Sequence, residues 1–380
     1  PTHEGHQPMW DVSKRYCIVF NGEIYNYKQL RQELIEQGVV FQSHTDTEVL
    51  LNLYIREGRK CLDELNGFFA FAIYDIENKS LFIARDRIGI KPLYYLIDDN
   101  RLLFASEMKS LIQYGIDKEI DYTALYTYLQ LNYIPAPLTI FKSVKKLLPG
   151  ECIELDTRGI KIETYYTIPY KKGDTTSLTY EDQKERLATI LENSVQKRLI
   201  ADVPLGSFLS GGLDSSIVAA LAKRHKEDLH TFSIGFQDEK FFDETNYARA
   251  VARKIRSEHT VFSLTNTDLY KHVYDILDYI DEPFADSSSI AVYILSQETR
   301  KHATVALSGD GADELFAGYN KHAAFQRIIE GGVATNMVKV FDPLWSILPT
   351  SRNNGLTNKF RQLHRFSKGM HLTSKERYWA

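Results

Sequence analysis

SGGLDSS, residues 210–216, lies between two segments of different character. The segment in front, 202–209 (DVPLGSFL), is mostly apolar like a buried strand, and the segment behind, 217–224 (IVAALAKR), has apolar side chains at helical spacing. The pattern predicts a strand, a tight turn and a helix N-terminus. Because Gly211 and Gly212 leave the backbone N–H groups uncovered, the turn predicts a site for an anion such as phosphate. An ordinary strand–helix turn capped by Ser or Asp is the alternative.

The turn differs from the common nucleotide-binding loops. It lacks the lysine of GxxxxGK[ST] loops, and it does not match GxGxxG. It resembles the PP-loop of ATP pyrophosphatases, which adenylate a substrate and release pyrophosphate. This resemblance implies that the loop holds pyrophosphate and that Asp214 helps to hold magnesium, an ion that binds through one or two carboxylates plus phosphate oxygens.

A second loop, within residues 304–319 (TVALSGDGADELFAGY), repeats this arrangement. An apolar strand leads into Ser308 and Gly309. Three carboxylates follow within five residues, at Asp310, Asp313 and Glu314. Such carboxylates would repel one another without a cation nearby. The loop therefore predicts a surface, opposite the first loop, that binds nucleotide and Mg²⁺. Helix capping, with acidic residues complementing the helix dipole, is the alternative.

The organisation of the chain changes along its length. In residues 1–166 the predicted hairpins and the predicted helices occupy separate segments. This pattern predicts an α+β layered domain of antiparallel sheets. Residues 167–179 (TIPYKKGDTTSLT) are polar and aperiodic and predict a linker. Residues 180–380 alternate helices and strands, which predict an α/β domain with a parallel sheet. Its predicted strands are 204–209, 230–236, 259–262 and 304–307, and both loops follow such strands, where ligands of these sheets bind.

Composition limits the class of protein. The chain has 380 residues, 43% hydrophobic and 25% charged, which is typical of globular domains. A net charge of −4 without a basic stripe argues against a nucleic-acid partner. The sequence contains no run of 18 apolar residues, so it predicts no membrane-spanning segment. Cys17, Cys61 and Cys152 form no CxxC pattern, so we expect free thiols and a reducing, cytoplasmic location.

Several motifs in order resemble the glutamine-hydrolysing asparagine synthetase family. In the second half they are SGGLDSS, FSIGF (232–236), FDETNYARAVA (242–252), DEPFADSSS (281–289) and SGDGADELFAGY (308–319). In the first half NGEIYNY (21–27), HTDTE (44–48) and ARDRIGIKPLYY (84–95) look like its class II glutamine amidotransferase domain. The resemblance implies an N-terminal-nucleophile-hydrolase-like layered domain. A PP-loop domain would follow it, Rossmann-like and of the adenine nucleotide alpha hydrolase type.

The resemblance implies a role for several residues of the first domain, which would cut glutamine to glutamate and ammonia. Asn21 and Gly22 match the oxyanion hole, and an Asn amide and a Gly N–H are suitable donors to an oxyanion. Glu23 and Asp46 match positions that bind the α-amino end of glutamine. The adjacent Arg85 and Asp86 are expected to be structural, as an ion pair at a strand end.

For the second domain the resemblance implies activation of aspartate by ATP and Mg²⁺ as an acyl-adenylate, which ammonia converts to asparagine. The residues that would contact adenosine or ribose are Leu209, Ile234, Ser308 and Gly309. Those that would hold pyrophosphate are Ser210, Gly211, Gly212, Asp214 and Ser215. Asp214 and Asp313 would bind magnesium, and Asp310 would support adenylate formation.

The sequence also departs from the family. The family's glutaminase nucleophile is an N-terminal cysteine, whereas residue 1 here is proline. We expect a fragment truncated at both ends, without glutaminase activity and poorly active or inactive as a synthetase; a paralogue restricted to free ammonia is the other interpretation. Amidation of a surface-polysaccharide sugar acid, β-lactam formation and a non-catalytic nucleotide-binding paralogue stay open as alternatives, and so does a homodimer.

Overall fold

The computed structural model describes residues 3–98, 101–170, 175–238, 243–351, 354–373 and 376–377. The predicted linker, 167–179, therefore lies partly outside the described residues. The chain packs as two compact units. The first consists of Pro1–Asp202 with His272–Tyr293, and the second of Val203–Lys271 with Ile294–Ala380. Each unit is described by itself below.

The strands, in chain order, are β1 (Met9–Trp10), β2 (Tyr16–Ile24), β3 (Gly67–Asp75), β4 (Ser80–Arg85), β5 (Tyr94–Ile97), β6 (Leu102–Ala105), β7 (Lys145–Lys146), β8 (Glu151–Asp156), β9 (Gly159–Thr164), β10 (Leu205–Phe208), β11 (His230–Phe236), β12 (Glu258–Leu264) and β13 (Val305–Leu307). The helices are α1 (Tyr27–Glu36), α2 (Asp46–Glu57), α3 (Cys61–Glu64), α4 (Met108–Ile112), α5 (Tyr122–Leu131), α6 (Tyr180–Arg198), α7 (Leu213–His225), α8 (Thr245–Ile255), α9 (Asn266–Lys271), α10 (Val273–Tyr279), α11 (Ser288–Thr299), α12 (Ala312–Phe316), α13 (Asn320–Glu330), α14 (Val333–Val340), α15 (Asp342–Ile347) and α16 (Gly355–Met370). Over the part of the chain that the structure describes, none of these helices has the length and apolarity needed to cross a membrane.

The first unit is layered around two antiparallel sheets, with strand orders β1-β2-β3-β4-β8-β9 and β6-β5-β7. Alternate residues of β3 serve two cores. Phe69, Phe71 and Ile73 pack with the apolar residues of α1 and α2, and Ala70 and Ala72 pack toward the smaller sheet. A third core joins that smaller sheet to α4. The unbroken apolar run of β3 is thus explained by burial on both faces, and the layered α+β class is confirmed.

Two elements from beyond residue 179 also pack in the first unit. The Arg198 guanidinium of α6 lies 4.8 Å from the ring centres of both Tyr25 and Phe68. Glu282, just after α10, forms an ion pair with Lys146. These compact units differ from the sequence domains 1–166 and 180–380, whose boundaries stay a prediction.

The second unit contains a parallel sheet with the order β12-β11-β10-β13. The chain runs from β10 outward to β11 and β12, and β13 then pairs on the other side of β10. Helices α7 and α8 connect the first three strands and pack against the sheet through small residues such as Ala219, Ala248 and Ala252. The predicted α/β class is confirmed. The reversal of strand order at β10 is where open α/β sheets bind ligands.

Candidate functional site

The SGGLDSS stretch forms the turn between β10 and α7. Gly211 has φ +88°, and a Cβ there would lie 2.5 Å from the Ala248 nitrogen, so the turn requires glycine. Gly212 is the N-cap of the 13-residue α7. The Ser210 hydroxyl lies 2.9 Å from the Ser215 hydroxyl and accepts the Gly212 N–H at 3.2 Å. The turn is therefore folded tightly at the positive end of a helix dipole, which stabilises anions.

The second loop follows β13 and packs directly on the first turn of α7. A Cβ on Gly309 would lie 2.7 Å from the Ser215 nitrogen and 2.9 Å from the Asp214 carbonyl carbon. The Ser308 hydroxyl accepts the Asp310 N–H at 3.1 Å. The structure thus brings Ser308 and Gly309 against Asp214 and Ser215, although 94 residues separate Ser215 from Gly309 in sequence.

The carboxylates of the second loop have different environments. Asp310 is exposed, and Asp313 is half-buried in the first turn of α12. Glu314 accepts the Tyr319 hydroxyl at 2.5 Å, a bond that lowers the pKa of Glu314 and raises that of Tyr319 to about 12. Because Glu314 is engaged, Asp214 and Asp313 are the better candidates for magnesium. Among the described residues, no group of three or more His, Cys, Asp or Glu side chains is arranged to hold a metal ion. Two carboxylates nevertheless fit Mg²⁺, which takes its other ligands from phosphate and water.

The predicted adenosine contacts lie at the same end of the sheet. Leu209 directly follows β10, and its side chain is buried. Phe208 pairs with Phe232, so Leu209 and Ile234 are close along the carboxyl ends of neighbouring strands. The Leu209 N–H donates to the Phe232 carbonyl at 2.8 Å, and its carbonyl accepts the Ser233 hydroxyl. The sequence does not predict this hydrogen bond of Ser233, because the FSIGF motif does not indicate which carbonyl its hydroxyl contacts.

The first unit has a separate candidate site on β2. The Asn21 amide donates to the Ser106 hydroxyl at 3.0 Å, and both side chains line an open cavity of about 230 Å³ with Gln7. Gly22 is closely packed, since a Cβ there would lie 2.1 Å from the Phe68 carbonyl oxygen. Asn21 thus offers an amide donor to this cavity. No sequence pattern predicts a role for Ser106.

Glu23 and Asp46 lie together beside this site. Asp46 begins α2 and accepts the N–H of Ile24, the residue after Glu23, at 3.0 Å. Burial raises the pKa of Asp46, and burial together with the charge of Asp46 raises the pKa of Glu23. Two neighbouring carboxylates destabilise each other's charge, and a bound cation relieves that repulsion. The pair is therefore suited to an ammonium group.

The three cysteines of the chain are poorly disposed to act as nucleophiles. Cys61 and Cys152 are buried and Cys17 is half-buried on β2, all as free thiols. Burial raises the pKa of each, to about 11 for Cys152. Since the thiolate is the reactive form, each thiol is less reactive at neutral pH than an exposed one.

We expect iodoacetamide at pH 8 to alkylate Cys61 and Cys152 at least about tenfold more slowly in the native chain than in denaturant. The rate for Cys152 should keep rising with pH up to its pKa of about 11. Peptide mapping by mass spectrometry measures each site, and the half-buried Cys17 provides an internal comparison. Equal native and denatured rates at Cys61 or Cys152 would contradict the buried environment.

The fold and the two candidate sites define a two-part protein, an antiparallel layered domain followed by an α/β domain with a glycine-containing turn at the end of its strand β10. Residues 1–166 match a family model described as glutamine amidotransferase domain, and residues 186–379 match one described as asparagine synthase. The chain belongs to the glutamine-hydrolysing asparagine synthetase family, as its motifs predict.

Individual relatives agree. Asparagine synthetase [glutamine-hydrolyzing] 1 of Bacillus subtilis is 40% identical over 322 residues, which cover 84% of this chain and 50% of that protein. Putative asparagine synthetase [glutamine-hydrolyzing] 2 of Methanocaldococcus jannaschii is 34% identical over 404 residues, which cover 100% of this chain and 75% of that protein. The chain thus spans about half the length of the Bacillus relative. A solved glutamine phosphoribosylpyrophosphate amidotransferase of B. subtilis matches 81% of this chain and 74% of its own, with a TM-score of 0.34 and 15% identity, too distant to bear on the fold.

Proposed function

We propose that this chain carries a glutaminase-like part and a synthetase part of an ATP-dependent amide ligase that converts aspartate to asparagine with ammonia from glutamine. The observation that supports the proposal is the close approach of Gly309 to the first turn of α7, which brings the two glycine-containing loops side by side. We assign the glutaminase half to residues 1–166, the linker to 167–179 and the synthetase half to 180–380. The proposal includes a cytoplasmic location and small-molecule substrates only.

In the synthetase half, the aspartate β-carboxylate attacks the α-phosphorus of ATP, and the bond to pyrophosphate breaks. Leu209, Ile234, Ser308 and Gly309 hold the adenosine. The turn at residues 210–215 and the N-terminus of α7 hold the departing pyrophosphate, whose negative charge the helix dipole favours. Magnesium held by Asp214 and Asp313 would neutralise part of that charge. Asp310 lies exposed at the same loop and supports adenylate formation.

Ammonia then attacks the acyl carbon of the β-aspartyl-adenylate, AMP leaves, and the attacking nitrogen gives up a proton to yield the amide. In the glutaminase half, the Asn21 amide and the Gly22 N–H would stabilise the oxyanion that forms when a nucleophile attacks the glutamine carbonyl, before the C–N bond breaks and ammonia leaves. Glu23 and Asp46 hold the α-ammonium group, which offsets the repulsion that raises the pKa of Glu23. The adjacency of Asn21 and Gly22 on β2 and the effect of the Asp46 charge on the pKa of Glu23 support these roles.

We expect the chain to bind Mg·ATP and Asp214→Asn to weaken that binding about tenfold, because one charged ligand of the metal–phosphate group is lost. Isothermal titration measures the affinity. Asp228→Asn is the matched control, since Asp228 is exposed beyond the other end of α7 and pairs with Lys226. Equal affinities of Asp214→Asn and the unmodified chain would contradict the assignment.

The acceptor is tested by pyrophosphate and AMP release with Mg·ATP and ammonium chloride. Release that depends on aspartate, slow in the 380-residue chain, is expected. Release with a sugar acid and not with aspartate would contradict asparagine synthesis. In the full-length protein, Mg·ATP binding without release on any carboxylate would instead favour a non-catalytic nucleotide-binding protein.

A further inference from the structure

A histidine of the second unit lies outside the mechanism above yet connects to the nucleotide turn. His259 of β12 places Nδ1 2.9 Å from the Thr231 hydroxyl and Nε2 3.4 Å from the Ser233 hydroxyl. Thr231 and Ser233 are 0% and 3% exposed. The Ser233 hydroxyl in turn meets the carbonyl of Leu209, the residue directly before SGGLDSS. A buried polar chain thus runs from β12 across β11 to the end of β10.

The donors and acceptors in this series of hydrogen bonds can be assigned from the network. Burial lowers the pKa of His259, so its ring is neutral at neutral pH and carries one N–H. The Leu209 carbonyl only accepts, which commits the single hydrogen of Ser233 to it. The Ser233 oxygen is then available to accept from Nε2–H at 3.4 Å. In that tautomer Nδ1 is an acceptor 2.9 Å from the Thr231 oxygen, which also lies 3.0 Å from the Glu258 carbonyl and from the Ser257 hydroxyl.

The series of hydrogen bonds that begins at His259 ends at a peptide group of the turn. The Leu209 carbonyl and the Ser210 N–H share one peptide plane. That N–H donates to the Ser215 hydroxyl at 3.2 Å, so the orientation of the plane is passed into the turn. The other side of Leu209 is held separately, by its N–H bond to the Phe232 carbonyl at 2.8 Å.

We propose that His259 and Ser233 are positioning residues for the phosphate-binding turn, acting through the Leu209–Ser210 peptide group. The proposal rests on the proposed nucleotide site. Losing the Ser233 hydroxyl removes one of the two hydrogen bonds that hold the Leu209–Ser210 peptide plane and leaves the bond of the Leu209 N–H unchanged. The phosphate contacts, which follow Ser210, therefore weaken more than the adenosine contacts.

The test compares Mg·ATP, magnesium pyrophosphate and AMP as titrants of the 380-residue chain. Ser233→Ala and His259→Phe are expected to weaken binding of Mg·ATP and pyrophosphate about 5–20-fold, the loss typical of one or two buried hydrogen bonds, and binding of AMP less than about twofold. His259→Gln, which keeps an N–H donor, should recover most of the loss. His230→Phe is the matched control, because His230 bonds Thr260 at 2.8 Å on the opposite side of the sheet and does not reach Leu209.

The outcomes separate the two proposals. If the unmodified chain does not bind Mg·ATP, the proposed function fails, and the positioning role fails with it. If it binds and Ser233→Ala and His259→Phe bind all three titrants equally well, the positioning role alone is overturned. An equal loss for pyrophosphate and AMP that His259→Gln does not restore, with a lowered melting temperature, would show a purely structural role and also overturn it. Should Ser233→Ala not fold, the His259→Phe and His259→Gln pair decides the matter.

Discussion

Replacing Asp86 with alanine is expected to lower the free energy of unfolding of the first unit by about 3–5 kcal/mol. The Asp86 side chain is almost fully buried, at 1% exposure. Its carboxylate accepts backbone N–H groups at 3.0–3.2 Å, from Phe69, Ile88, Ile90 and Lys91. Alanine would leave these donors without their acceptor in a place that water does not reach. The cost is large because buried unpaired N–H groups lose their solvation as well as their bond.

Urea unfolding followed by circular dichroism measures this loss. Asp86→Asn keeps one acceptor oxygen and should fall between alanine and the unmodified chain. Asp156→Ala is the control, because Asp156 also accepts a loop N–H, that of Arg158 at 2.7 Å, but does so in an exposed hairpin. A loss for Asp86→Ala no larger than that for Asp156→Ala would show that the carboxylate does not organise this loop.

Asp86 also shows what the sequence can and cannot predict. The sequence identifies Arg85 and Asp86 as structural residues at a strand end, and both are. The expected ion pair is replaced by backbone partners, since Arg85 donates to the carbonyls of Gly89 and Lys91 at 2.8 Å. Adjacent residues at a strand end point to opposite sides, so their side chains meet different parts of the following loop. Local sequence shows a charged pair but not the path of that loop.

The same limit applies to larger features. The strand at residues 230–236 is observed at the predicted residues because Phe232, Ile234 and Phe236 alternate with small residues in a strand-like pattern. The packing of 272–293 in the first unit is not predictable in this way, since it depends on partners far apart in sequence. Asp281 accepts the Met108 N–H at 2.9 Å, and Glu282 pairs with Lys146. The contact of Ser233 with Leu209 escapes prediction for the same reason. The adjacency of the two loops is different, because parallel strands place their carboxyl ends at one edge and so allow it to be predicted.

Gly309→Ala is expected to weaken Mg·ATP binding about 100-fold, the largest functional effect predicted for this chain. The added methyl would lie 2.7 Å from the Ser215 nitrogen and 2.9 Å from the Asp214 carbonyl carbon. Both are backbone atoms of α7, so no side chain can rotate away, and the second loop must move instead. Such a shift of about 1 Å would displace Asp313 and the rest of the second loop relative to the turn at residues 210–215, and so misplace the proposed phosphate-binding groups.

The same titration with Mg·ATP measures this effect, and Gly311→Ala is its matched control. Gly311 lies in the same loop with φ +88° and has nothing within 4 Å of an added Cβ. Alanine there introduces backbone strain without a clash, so a modest loss is expected. Equal losses in the two variants would mean that loop strain, rather than contact with α7, controls binding. Full affinity in Gly309→Ala would mean that the two loops do not form one nucleotide site, because the methyl group cannot be accommodated while Gly309 stays against Ser215.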